Sequence, residues 1–86
     1  MSYLVEYEIE AINDLSKLTS SIQKRIINKI KWLSENFDKI NHQSLKGNLS
    51  EFYKFRLGDY RIIYEFDLET KTIFIDRIGH RKEIYD

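Results

Sequence analysis

The chain has 86 residues, 42% of them apolar and 14% aromatic, with no Pro; this suits one globular domain spanning 1–86 and not a disordered segment. It has no Cys, which excludes disulfides, thiolate metal sites and Cys nucleophiles, and His42 and His80 are too few for a usual structural zinc site. Its 14 basic and 14 acidic residues cancel, so it is not a generic basic nucleic-acid binder, and any polyanion site has to come from local placement of charge.

The opening "MSYLVEYEIE" carries acids and lacks the apolar run of a signal peptide. No window approaches the roughly 18 apolar residues of a membrane span. The expectation is a soluble cytoplasmic protein with no membrane partner.

In 2–9, Tyr3, Val5, Tyr7 and Ile9 share one parity while Leu4, Glu6 and Glu8 take the other, the alternation of a strand with one buried face. Residues 10–18 switch to helical spacing through Ala11, Ile12, Leu15 and Leu18. Ser20 and Gln23 fit a capping box. Over 20–36 an apolar stripe of Ile22, Ile26, Ile30, Leu33 and Phe37, widened by Ile27, predicts a long amphipathic helix, so that the two helices form a hairpin. The stripe and Trp32 read as core, or core plus partner groove. Residues 38–48 are polar with Gly47 and read as a loop, with His42 solvated. Strands are predicted over 51–57, 60–68 and 71–79, joined by two-residue turns at Gly58-Asp59 and Glu69-Thr70. The order is βααβββ, an α+β fold with the helices on one face of a mostly antiparallel three-stranded meander.

A two-residue turn at Gly58-Asp59 sets Leu57 opposite Tyr60, Arg56 opposite Arg61, Phe55 opposite Ile62 and Lys54 opposite Ile63. One face then collects Tyr53, Phe55, Leu57, Tyr60, Ile62 and Tyr64; the other collects Lys54, Arg56 and Arg61. Like charges directly opposite are destabilising. Either an anion relieves Arg56 against Arg61, or nearby acids such as Glu51, Glu65 and Asp76 pair with them. The ending "IDRIGHRKEIYD" carries His80, Arg81 and Tyr85 off the last strand. Lysine, arginines and a phenol are the parts for RNA scission by a ribose 2′-hydroxyl. That reaction needs a base on the 2′-oxygen, cationic donors on the phosphorane, and an acid for the leaving 5′-oxygen. No cofactor or metal is expected. A Tyr serves as base only if cations lower its pKa from about 10, whereas His80 has the better intrinsic value.

The order βααβββ, with "LKGNLSEFYKFRLGDYRIIYEF" followed by "IDRIGHRKEIYD", resembles the RelE/ParE superfamily of toxin–antitoxin toxins over essentially the whole chain. The resemblance implies either a RelE-like, ribosome-dependent endoribonuclease acting on messenger RNA or a ParE-like poison of DNA gyrase. A third possibility is a non-catalytic binding module of the same fold. Arg61, Arg81 and Tyr85 match the nuclease pattern, and Lys54 and Arg56 match basic positions on the preceding strand. Carried over, Tyr85 activates the 2′-hydroxyl, Arg61 and Lys54 stabilise the phosphorane, and Arg81 assists the leaving group or holds the scissile phosphate. Arg56, Lys46, His80 and Lys82 are the RNA-contacting candidates. Two departures stand against this branch: Phe52 occupies a position usually basic in RelE nucleases, and the chain is neutral. The resemblance also implies a RelB-like antitoxin and a toxin–antitoxin hetero-oligomer, in which the antitoxin either blankets the basic face or displaces the C-terminal tail.

Overall fold

The computed structural model describes residues 2–45, 47 and 51–80. The elements are β1 (Leu4–Tyr7), α1 (Ile9–Ser16), α2 (Ser20–Glu35), a 3-10 turn (Phe37–Lys39), β2 (Gln43–Ser44), β3 (Tyr53–Leu57), β4 (Tyr60–Asp67) and β5 (Thr72–His80). The α+β class and the β3-β4-β5 meander agree with the sequence pattern, but the sheet has five strands in the order β1-β5-β4-β3-β2. β1 lies parallel to β5, Val5 opposite Ile73. β2 lies within the stretch read as a loop. It has two polar residues paired to Lys54 and Tyr53, and so lacks the alternation that marks a strand. Among the described residues no helix is long and apolar enough to cross a membrane.

The α2 cap sits one residue earlier than the capping box placed it. Thr19 is the N-cap, its hydroxyl accepting from the Ile22 amide at 3.4 Å, and the Gln23 side-chain amide donates to the Leu18 carbonyl at 2.9 Å. Because the helix already begins at Ser20, the free donor at its third position belongs to Ile22. Ile26, Ile30, Leu33 and Phe37 bury as the stripe requires, but Ile27 is 44% exposed and lies outside the core. Beneath the helices, Ile62, Tyr64, Ile73, Ile75 and Ile78 form the core, flanked by Tyr53, Phe55, Leu57 and Tyr60.

The β3–β4 register is the one read from the sequence: Leu57 opposite Tyr60, Arg56 opposite Arg61, Phe55 opposite Ile62 and Lys54 opposite Ile63. Gly58 takes φ +60°, a left-handed conformation that the first position of such a turn needs. The β4–β5 connection is longer than two residues, running from Leu68 to Lys71. There the Asp67 carboxylate accepts from the Glu69 amide at 2.9 Å, a local turn that competes with further pairing.

In β5 the pairing passes from Ile63–Arg77 to Tyr64–Ile75 and skips Asp76. This bulge lets both Ile75 and Ile78, on opposite parities, enter one core. Beyond Ile75, β1 has ended, and Asp14 of α1 takes over the strand edge. Its carboxylate accepts from the Ile78 amide at 2.9 Å and from Arg77 Nε and Nη2 at 2.8 and 3.2 Å.

Candidate functional site

The sheet face turned away from the helix-covered core holds the candidate site. Strand alternation puts Lys54 and Arg56 of β3 and Arg61 of β4 on it, since their neighbours Phe55, Leu57, Tyr60 and Ile62 pack under the helices. Arg56, Arg61 and Gly79 form one row across β3, β4 and β5. Gly79 contributes no side chain next to Arg61. Arg56 is exposed, Lys54 half-buried, and Arg61 only 4% exposed. A guanidinium in so dry a setting acts more strongly on a neighbouring charge than one in water. Beside this row, Phe52, Ile63 and Leu45 form a small apolar cluster. Phe52 therefore has a packing role where a further cation was looked for.

His80 does not join that face. It pairs with Tyr60, their rings 6.0 Å apart, on the helix side of the sheet. There it lines a cleft of about 270 Å³ with Asp14, Lys17, Leu18, Tyr60 and Arg77. The two-residue period of a strand separates it from Arg61. An RNA contact by His80 would therefore lie on the helix side of the sheet, away from Lys54, Arg56 and Arg61. Lys46, Arg81, Lys82 and Tyr85 lie outside the described residues.

His42 is not a solvated loop residue. Its ring packs 3.9 Å from Phe37, its Nε2 lies 2.8 Å from the Phe37 carbonyl, and its Nδ1 lies 2.6 Å from the Tyr64 hydroxyl. A carbonyl can only accept, so Nε2 carries the hydrogen and Nδ1 accepts from Tyr64. Burial, and then the nearby Tyr53, push the Tyr64 phenol above its ordinary range, consistent with that role as donor. This histidine locks the β2 approach to the core and is not placed for chemistry on the opposite face.

The sequence offers Glu65 and Asp76 only as candidate partners for the arginines. Asp76, on the β5 bulge, hydrogen-bonds Glu65 and lines a recess of about 380 Å³ with Glu8, Glu10, Phe52, Glu65 and Arg77. Burial first, then the hydrogen bond and charge of Glu65, then Glu8 and Glu10, push its carboxyl up to about 8. The sign follows from a raised folded-state value. The folded protein holds a proton that the unfolded chain releases above about 4, so the pair costs stability increasingly as pH rises towards 8. Asp76→Asn is expected to melt close to wild type at pH 4 and above it at pH 9. After allowance for solvent screening the gain is about 1–2 kcal/mol, or roughly 5–10 °C for a domain of this size. Melting curves for both proteins across that range provide the check. A constant difference between them removes Asp76 as the titrating group.

A helical hairpin on a five-stranded sheet, with arginines crossing the free face, defines the class: a toxin of the RelE/ParE superfamily. The chain belongs to the ParE toxin family of type II toxin–antitoxin systems (parDE), whose model matches residues 5–85. It is 31% identical to Toxin RelG of Mycobacterium tuberculosis, over 99% of this chain and 98% of that protein. The toxin–antitoxin complex RelBE2 of Mycobacterium tuberculosis contains a chain similar at TM-score 0.82 and 29% identity, covering 94% of this chain and 100% of that one. The archaeal RelE–RelB complex of Pyrococcus horikoshii gives 0.74 and 25%, covering 98% and 100%.

Proposed function

We propose that this type II toxin is a ribosome-dependent endoribonuclease that cuts messenger RNA in the decoding site, and that a RelB-like antitoxin neutralises it. The observation that carries the reading is the Arg56–Arg61–Gly79 row, with Lys54 on the same face and Arg61 held dry. Arg61 and Lys54 stabilise the phosphorane formed when the 2′-hydroxyl attacks, and Arg56 holds a flanking phosphate. Arg81, two positions past the Cα partner of Arg61, serves the leaving oxygen, and Tyr85 takes the 2′-proton, a role that requires cations to lower its pKa. The nucleophile is internal to the RNA, so no water has to be activated. Similar structures that contain RelB chains support the antitoxin.

A second reading, gyrase poisoning, is favoured by the parDE description of the matching family and by Phe52 in place of a base. One experiment separates them. Wild type and Arg81→Ala/Tyr85→Ala are induced in cells, and messenger-RNA ends and DNA breaks are mapped. Codon-phased RNA ends in wild type alone are expected. DNA breaks and an SOS response without RNA ends assign the gyrase reading, and neither effect leaves a non-catalytic binding module.

A further inference from the structure

The neutral chain distributes its charge unevenly along the sequence. Residues 4–16 carry Glu6, Glu8, Glu10 and Asp14 and no base, whereas 20–35 carry Lys24, Arg25, Lys29 and Lys31 against the single acid Glu35. β1, with α1 packed on β5, lies at one side of the sheet; β3 and the short β2 lie at the other. α2 reaches this second side. Arg25 approaches the β3–β4 turn, its Nη2 4.0 Å from where a side chain on Gly58 would begin. Lys29 Nζ stands 4.2 Å from the Trp32 ring centre and 5.5 Å from that of Phe55. Those two rings stack at 6.1 Å with an interplanar angle of 24°. Trp32 is 39% exposed.

The edge below these residues is open. β2 pairs only with Tyr53 and Lys54, so the rest of β3 has no strand neighbour on that side among the described residues. A groove of about 230 Å³ runs there, lined by Asn41, Gln43, Lys54, Phe55 and Arg56. The acids nearest in sequence are Glu35, Asp38, Glu51 and Asp59, all exposed.

We propose that the outer edge of β3 and the adjoining face of α2 form a binding site for single-stranded RNA that meets the Arg61 face at Arg56, and in which Arg25 and Lys29 hold phosphates and Trp32 stacks a base. The choice of RNA rests on the RNA-cleaving reading. The site's own chemistry agrees with that choice: spaced cations along a groove with an exposed indole suit a polynucleotide, whose bases each present a stacking face. An acidic protein segment would use the cations and leave the indole idle. Segregated charge also lets a chain of zero net charge steer towards a polyanion. Lys54 and Arg56 link this groove to the Arg61 face, so one strand can run from the edge onto the sheet.

The test uses the full-length toxin and a fluorescein-labelled 12-nucleotide 2′-O-methyl RNA, which cannot be cut by 2′-hydroxyl attack. Binding is followed by anisotropy across a range of KCl concentrations. Arg25→Glu/Lys29→Glu is expected to raise Kd by about tenfold or more and to flatten the slope of log K against log salt by about 1.4, two phosphate contacts on a single strand. Trp32→Ala is expected to raise Kd with the slope unchanged. Arg25→Gln/Lys29→Gln gives an intermediate loss and serves if charge reversal unfolds the protein. An unchanged Kd and slope in folded variants overturn the proposal. So does a poly-glutamate peptide that binds as tightly as the RNA and ignores Trp32→Ala, which assigns the surface to an acidic protein. Because the probe is not cleaved, failure of the nuclease reading appears in the cell experiment and failure of this site appears here.

Discussion

On the proposed nuclease reading, Arg61→Ala should cut messenger RNA on programmed ribosomes about a hundred- to a thousandfold more slowly than wild type, the loss of one preorganised donor to a developing oxyanion, about 2.7–4 kcal/mol. Arg61 is selected over its neighbours by its setting. Arg56, directly opposite, is exposed and solvated, whereas Arg61 is 4% exposed in the middle of the sheet. A phosphorane at Arg61 meets a guanidinium that has already lost most of its water. Ribosome binding should weaken far less, because Arg61 supplies one phosphate contact among several. Arg61→Lys keeps the charge but gives up the planar fork, and its rate should fall between the other two. Single-turnover cleavage with ribosomes in excess reads the chemical step, and a melting curve for each variant separates it from unfolding. Cleavage at the wild-type rate by folded Arg61→Ala would remove this residue from the chemistry.

The candidate face was legible because a strand's period is two and the Gly58-Asp59 turn pins the register. Together these put Arg56 against Arg61 without any knowledge of the rest of the sheet. The long helix was legible for the same kind of reason. The parallel partnership of β1 with β5 was not, since it joins residues nearly 70 positions apart through backbone bonds that leave no mark on side-chain type. β2 was hidden for a similar reason. The bulge did leave a trace: Ile73 and Ile75 share a parity that Ile78 breaks, and an extra residue between them resolves the conflict. His42 was misread because polar neighbours hide a ring that packs on Phe37. The total charge misled as well. Acids and bases cancel in the sum but cluster in different segments, so neutrality gave no measure of local field.

Asp14→Ala should destabilise the protein by about 2–3 kcal/mol, the sum of a charge-assisted pair and a buried amide left without its acceptor. For a domain of this size that lowers the melting temperature by roughly 10–20 °C. The carboxylate is 12% exposed at its side chain and bonds both Arg77 and the amide of Ile78, itself buried in the core. Burial works to raise its pKa, but the Arg77 guanidinium, the Ile78 amide and Lys17 outweigh it and hold the carboxyl below the usual range. This stabilisation is therefore complete above the ordinary carboxylate pKa and fades as pH falls through the lowered folded value, opposite in sign to the effect of Asp76. The difference in melting temperature between wild type and Asp14→Ala should accordingly shrink in acid. Asp14→Asn retains an oxygen for the Ile78 amide and loses the charge facing Arg77, so it should recover part of the deficit. A double-mutant cycle with Arg77→Ala measures the ionic share directly. If Asp14→Ala melts with wild type at pH 7, the end of β5 is held by something other than this carboxylate. If Asp14→Asn proves as damaging as Asp14→Ala, the charge on Arg77 matters more than the amide. The strand end at stake carries Gly79, the partner of Arg61, so looser pairing there should also slow cleavage without any substitution on the cationic face.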